Sequence, residues 1–483
     1  MTYLPRQHEI ARRLKVSQMT VSLALRDSNR VSEKTKRKVR AMAKRIGYQV
    51  DLTAQRLVSR RLQRRIDNRQ VTLDLWVVRK GRPVREEAYL NLIREYGESH
   101  PMVRIRTTEK HLLNKPLRDE LLVQMAQGPA PAVTVLHDSD FSRFVNLELC
   151  ANVTSFAESR PESGNISAEQ WAAAKRGGHI YGIPFTGLVP TVLFYNRKRF
   201  RKAGLNPDQG PLTWNEFAEY GQRLTDARSD LFGMSFSQPY WCARLLWIMI
   251  HQAHGQLLRQ DGHDWAVALD EKPVLDSLEF LKALLWDFRV AAPEVNRLEE
   301  FVMADFARGR TAMYIGEFTP GSFIQMGMDP GDLGVSLLPV WQGGAEFCPA
   351  WMVIWVLNRN LPPLEREHAW DFAWHANSPE THIQMRKEIL EKEKIGPFIG
   401  SWGGKRISDG LDQCRPEWVE VCERALALKR KTPFFPTGWE MDALESAIIN
   451  LVWVPGANVS DSIREHENVS SGKYRNAEQT LII

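Results

Sequence analysis

Cysteine is scarce in this chain, with five among 483 residues, at positions 150, 242, 348, 414 and 422. An odd, scattered set excludes a disulfide framework and fits reduced thiols. Cys414 and Cys422 are too far apart for a zinc knuckle. Long apolar runs are also missing, and no stretch approaches the roughly 20 residues that a membrane span needs. Arg6, Arg12 and Arg13 interrupt the opening segment, so no signal peptide and no membrane partner are expected, and the cytoplasm is the expected compartment. Catalytic motifs are lacking too. Gly403-Gly404-Lys405 does not have the spacing of a phosphate loop, and Gly327, Gly331 and Gly334 do not form a dinucleotide fingerprint. His251 and His254 have no acidic residue between them, unlike a zinc-protease helix, and read as one packed and one exposed histidine. No catalytic residue, metal site or cofactor is expected, and the chain does not read as an enzyme.

What is present is unevenly placed. The chain holds 64 Lys+Arg and 58 Asp+Glu, of which residues 1–70 hold 19 and 5. Those seventy residues therefore carry +14, while residues 71–483, with 45 basic and 53 acidic side chains, carry −8. Positive charge gathered at one end is suited to a phosphate backbone. The same segment has helical periodicity, which a solvated basic tail lacks. Ile10, Ala11 and Leu14 form one apolar face, and Val21, Ala24 and Leu25 another. Lys15-Val16 reads as the turn between them, and Ser17 as the N-cap of the second helix. A third, basic helix opens at Val31-Ser32 and runs to Ile46, ended by Gly47. Two helices joined by a tight turn and closed by a third is helix-turn-helix architecture.

Val16-Ser17, Thr20-Val21-Ser22, Val31-Ser32, Thr35-Lys36, Gly47-Tyr48 and Ala54-Gln55-Arg56-Leu57 resemble the lac-repressor family of regulators over about sixty residues. The resemblance implies that Ser17 belongs to the DNA-binding set, that Gln18 and Met19 meet base edges of double-stranded operator DNA in the major groove, and that Thr20 and Ser22 lie near phosphates. It also implies that segment 51–58 is a hinge helix that folds on DNA and wedges Leu57 into the minor groove, bending the duplex. Two positions depart from the family pattern. Lys15 stands where glycine is common, and a side chain in a left-handed turn costs about 1–2 kcal/mol. Leu23 stands where arginine is usual; leucine can offer a base only an apolar contact, and Arg26 is placed to compensate in part.

After the linker Ser59–Arg69 the pattern changes. Val71–Val78 reads as a strand, 85–98 as a helix, 103–107 as a strand, 117–127 as a helix and 132–136 as a strand. Such alternation predicts a mostly parallel sheet covered by helices, with ligands bound beyond the carboxyl ends of the strands. His137-Asp138-Ser139-Asp140-Phe141 falls there.

Tyr181–Phe185, Leu193–Asn196, Phe200–Leu205, Thr213–Phe217, Phe306–Met313 and Gly334–Pro339 resemble, in order, the extracellular solute-binding proteins of the maltose-binding type, over nearly all of 71–475. The resemblance implies an α/β, two-lobed, periplasmic-binding-protein-like (type II) body, crossed near 186–194 and again near 345–352. The expected organisation is an all-α helix-turn-helix domain at 1–48, a hinge helix and linker at 49–70, and a solute-binding domain at 71–483. It implies a cleft that draws on Asp138, Asp140, Gly187, Leu188, Tyr240, Trp241, Phe318, Trp351 and Trp439. Sugars need flat aromatic faces and a few polar groups, and the 16 tryptophans are enough to supply them. Trp76, Trp214 and Trp370 read as core from their apolar context. Pro239-Tyr240-Trp241 and Gly438-Trp439 read as loop sites.

The resulting expectation is a ligand-responsive transcription regulator, a repressor that senses a sugar or oligosaccharide and binds DNA as a homodimer. The alternatives are a transport-type solute-binding protein, and a DNA-binding scaffold without a ligand.

Overall fold

A computed structural model describes residues 7–17, 20–21, 24, 31–45, 70–78, 83–111, 114–166, 168–184, 190–261, 264–348, 353–393, 400–402, 405–407, 415–428 and 440–459. The chain divides into two compact units, Met1–Arg69 and Gln70–Ile483.

In the first unit, helix α1 (Gln7–Leu14) and helix α2 (Glu33–Arg45) enclose a small core of Ile10, Ala11, Val21, Ala24, Val31, Val39 and Ala43. Between α1 and the residues around Val21 the chain turns at Lys15, whose φ is 52°. The amide of Val16 donates back to the Ala11 carbonyl at 3.0 Å. Ser17 caps the next helical turn, its Oγ accepting from the Thr20 amide at 3.0 Å and lying 2.8 Å from the Thr20 hydroxyl. Ser32 repeats the device at the start of α2, accepting from the Thr35 amide at 3.3 Å. Gln18, Met19, Ser22, Leu23, Leu25, Arg26 and the whole of 46–69, with Leu57, lie outside the described residues.

The second unit begins with β1 (Val71–Val78), whose alternation buries Val71, Leu73, Leu75 and Val77. Helix α3 (Pro83–Ser99), β2 (Val103–Lys110), helix α4 (Asn114–Gln127) and β3 (Val133–His137) follow. Helix α5 (Asp138–Asn146) starts directly at the end of β3. The chain then adds a short strand, β4 (Ile183–Pro184), before the backbone enters a second sheet as β5 (Thr191–Asn196). Helix α6 (Pro239–Gln252), helix α7 (Lys272–Trp286), β6 (Met313–Glu317) and β7 (Leu333–Ser336) belong with that second sheet. The chain returns as β8 (Val353–Leu357) and helix α8 (Pro363–Ala376), and helix α9 (Glu440–Ala447) comes last.

Two lobes result. The first holds a five-stranded sheet in the order β2-β1-β3-β8-β4, with one core running from Val71 to Trp374 and Ala376. The second holds a three-stranded sheet in the order β6-β5-β7. Strand β5 is buried along its whole length and feeds two cores by its alternation. Leu193 and Tyr195 face one, packed with α6, α7 and α9; Val192 and Phe194 face the other. Gly334 on β7 is fixed by this packing, because a Cβ there would lie 2.3 Å from the Tyr195 ring.

The sheets correct the expectation of a mostly parallel arrangement. β1 pairs in parallel with β2 and β3, but β8 runs antiparallel to both β3 and β4, and both ladders of the three-stranded sheet are antiparallel. The physical reason is the excursion between lobes: a strand returning from the other lobe enters the sheet reversed, without the crossover helix that a parallel pairing requires. Trp76 packs at the edge of the lobe-1 core rather than within it. It is half-buried on β1, with the Lys110 ammonium 4.2 Å from its ring centroid. Trp214 and Trp370 are buried as expected.

The left-handed Lys15 gives a direct test. Lys15→Gly should stabilise the first unit by about 1 kcal/mol, since glycine meets no Cβ clash at positive φ. Native-state hydrogen exchange at the α1 and α2 amides would register this as slower exchange. Unchanged exchange would mean the turn carries no strain.

Candidate functional site

The carboxyl end of β3 delivers the chain straight into the first turn of α5, where Asp138 and Asp140 sit. Carboxylates are favoured at a helix N-terminus by its free amides and dipole, and the Asp138 Oδ1 accepts from the Ser139 amide at 2.9 Å. Both aspartates are buried rather than lining an open crevice. Arg118, on α4, donates from Nη1 to the Asp140 Oδ1 at 3.0 Å. Its other terminal nitrogen donates to Oδ1 of Asp442, on α9, at 2.5 Å. Arg143, on α5, donates to the second oxygen of Asp442 at 2.7 Å.

Asp442 comes from the second lobe. Its helix is held there by Met441, Leu444 and Ala447, which pack in the same core as α6 and α7. The two lobes are therefore joined by ion pairs, with Arg118, Arg143 and Asp442 side chains only 5%, 1% and 16% exposed. Burial alone would disfavour the charge on Arg118, but Asp140 and Asp442 outweigh it and hold the guanidinium pKa above its ordinary value. Burial raises the Asp140 pKa, with Arg118 and Arg143 acting in the opposite direction.

An aromatic contact lies beside these pairs. Tyr240 opposes His137 across the lobe junction, with ring centroids 5.7 Å apart. The Tyr240 phenol is buried and has its pKa pushed up by burial. Trp241 stands nearly perpendicular to it at 5.5 Å, and the Arg244 guanidinium covers the Trp241 ring at 4.4 Å while pairing with Glu317 at 3.3 Å.

Asp138, Asp140, Tyr240 and Trp241 are thus brought to one junction. Tyr240 and Trp241 lie in the first turn of a helix, not in a loop as their proline neighbour suggests. Pro239 occupies the opening position of α6, where its missing N–H costs nothing. Phe318 packs as core instead of lining the cleft: it is buried and stacked on Phe194 at 6.4 Å, among Phe306 and Phe323. Gly187, Leu188, Trp351 and Trp439 lie outside the described residues.

Sequence reasoning missed Arg118, Arg143 and Asp442. A signal existed for Arg118, which shares the buried stripe of α4 with Leu121 and Met125 at i+3 and i+7. Nothing in the sequence marks Asp442 as its partner.

The junction leaves little room. A cavity of about 70 Å³ is lined by Arg118, Leu121, His137, Asp140 and Tyr240, among others. A second, of about 50 Å³, lies on the other side of the α6 N-terminus against Ser235, Ser237, Trp241, Arg244 and Tyr314. Small-molecule sites span roughly 300–1,000 Å³. Neither cavity is large enough to hold a sugar as it stands.

Breaking the cluster should be costly. Arg118→Ala leaves Asp140 and Asp442 buried with one cation fewer, and should lower stability by about 3 kcal/mol. Urea unfolding of the full chain measures this. A loss within about 0.5 kcal/mol, as for an ordinary surface substitution, would show that the cluster is solvated.

Residues 87–383 match the family described as bacterial extracellular solute-binding protein, and residues 8–51 match bacterial regulatory proteins of the lacI family. A 129-residue stretch is 40% identical to the sn-glycerol-3-phosphate-binding periplasmic protein UgpB of Yersinia enterocolitica, spanning 26% of this chain and 26% of that protein. Over 268 residues the chain is 22% identical to the arabinooligosaccharide-binding protein of Bacillus subtilis, spanning 54% of this chain and 59% of that one. The chain thus spans less than two thirds of either relative's length. Among solved structures, a solute-binding protein of Thermotoga lettingae bound with alpha-D-tagatose has the same fold, with a TM-score of 0.66 at 19% identity, covering 83% of this chain and 99% of that one. With more than half its length matched, the chain belongs to the bacterial extracellular solute-binding protein family, and it carries a lacI-family segment at its N-terminus.

Proposed function

We propose that this protein is a cytoplasmic, ligand-responsive transcription regulator, a repressor that binds operator DNA as a homodimer and senses a polyhydroxylated solute between its lobes. The observation that carries the reading is the fusion itself: a lacI-family segment at residues 8–51 precedes a solute-binding body in one chain. The charge distribution supports it. The first seventy residues hold 19 basic and 5 acidic side chains, a balance with no use in a transport protein but suited to phosphates. The relatives bind sn-glycerol 3-phosphate and arabinooligosaccharides, which supports a sugar or a polyol derivative as the solute.

In this reading Gln18 and Met19 meet base edges, Ser17, Thr20, Ser22, Leu23 and Arg26 complete the contact surface, and Leu57 wedges into the minor groove. Asp138, Asp140, Tyr240 and Trp241 face the solute, together with Gly187, Leu188, Trp351 and Trp439. Lobe movement changes how the segments at 49–70 of two chains are held, and so changes operator affinity. Such coupling is reciprocal and usually amounts to about 5–150-fold.

Operator titrations at several salt concentrations, with and without a saturating solute, test the reading. If about eight phosphates are neutralised, log affinity should fall with log salt at a slope of roughly −7. Solute should weaken operator binding. A slope of about −1 contradicts DNA binding. A solute that binds tightly yet leaves operator affinity unchanged reduces the protein to a scaffold.

A further inference from the structure

Helix α9 carries three acidic residues, Glu440, Asp442 and Glu445, against lobe 1. Each acts on a lobe-1 cation. Glu440 acts on Arg176, Glu445 acts on Arg118, and Asp442 is gripped by Arg118 and Arg143 through separate oxygens at 2.5 and 2.7 Å. On its own side of the junction lobe 1 sets Arg118, Arg143 and Arg176 near Asp138 and Asp140, with the half-exposed Asp119 3.6 Å from the Arg118 Nε. The helix from lobe 2 supplies the remaining negative charge.

Two guanidiniums on the two oxygens of one carboxylate is the arrangement that holds an oxyanion ligand. This grip is deeply buried, with Arg118 5% and Arg143 1% exposed, and Arg118 borders a cavity of about 70 Å³ that Tyr240 also lines. We infer that Arg118 and Arg143 form an oxyanion subsite of the inter-lobe cleft, filled here by the chain's own Asp442, and that the solute carries a phosphate or carboxylate group that takes Asp442's place. The inference rests on reading that cleft as the solute site.

A neutral hydroxyl cannot make the exchange. It would leave buried guanidinium charge without its counter-charge, and breaking a buried ion pair in that way is strongly unfavourable. A ligand oxyanion replaces like with like. Asp442 then acts as an internal competitor, and apparent affinity falls by the fraction of molecules in which it holds the subsite.

The test is calorimetric titration of the full chain with three probes: sn-glycerol 3-phosphate, glucuronate and maltose. Wild type is compared with Asp442→Asn, which removes the competing charge at constant volume, and with Arg143→Gln, which removes one half of the grip. Asp442→Asn should bind one of the two anions about tenfold more tightly than wild type, and Arg143→Gln should bind the same anion about tenfold more weakly. The phosphate and carboxylate arms decide which oxyanion fits. Maltose has no charge for the grip, so both substitutions, which loosen the same seam, should move its affinity in the same direction, whereas the anion gains from one and loses from the other. The subsite is overturned if neither anion binds Asp442→Asn, if maltose gains from one substitution and loses from the other as the anion does, or if Arg143→Gln leaves anion affinity intact. Should Asp442→Asn fail to fold, Asp442→Ser serves the same comparison. Operator affinity recorded on the same samples keeps the two claims apart: anion competition without an operator response removes the regulator and leaves the subsite, and an operator response to maltose alone does the reverse.

Discussion

Two guanidiniums from one lobe holding one carboxylate from the other is the contact on which the closed form of this body depends. Taking such charges out of water costs several kcal/mol per ion, and their attraction offsets it only when geometry and partners are good. Arg118 meets that condition by bonding Asp140 and Asp442 at once, with Arg143 on the remaining oxygen. The contact is therefore conditional. It is stabilising while all members are in place and poor when one is displaced, which is the behaviour a two-state element needs.

The remainder of the fold isolates this seam. Lobe 1 has a complete apolar core around β1, β3 and β8, and lobe 2 has its own on each face of β5. Each lobe has a core of its own, and among the described residues the seam carries the Arg118–Asp442–Arg143 ion pairs beside the His137–Tyr240 ring contact. Charged groups rehydrate readily, whereas an apolar seam of the same extent would resist opening at about 25 cal/mol per Å². A body built in this way can part along the seam without unfolding either half.

Much of this architecture was legible in the residues. The spacing of Ile10, Ala11, Val21 and Ala24 marked the small helical core, and the β-rich composition of Val71–Val78 marked the first strand. Lys15 in a position that favours glycine was readable as a left-handed turn, and its φ is 52°. The misreadings share a cause. Pro239 punctuates loops and also opens helices, and local composition cannot tell the two apart. The family resemblance put Phe318 in the cleft, yet it follows β6 into an aromatic core. The sheet polarity depended on a strand returning from the other lobe, which no local pattern encodes. Least legible was the seam itself, because Arg118 and Asp442 are 324 residues apart and only the completed fold sets them side by side.

The most direct measurement is the inter-lobe distance in the full chain with no solute added. Spin labels at Val123 on lobe 1 and Leu212 on lobe 2 suit it once Cys414 is replaced by serine, since these side chains are 57% and 56% exposed and the cysteines at 150, 242, 348 and 422 are buried. The account predicts one narrow, short distance in the wild type, lengthening and broadening when Asp442 is replaced by asparagine. A broad, long distribution in the solute-free wild type, unaffected by that substitution, would contradict it.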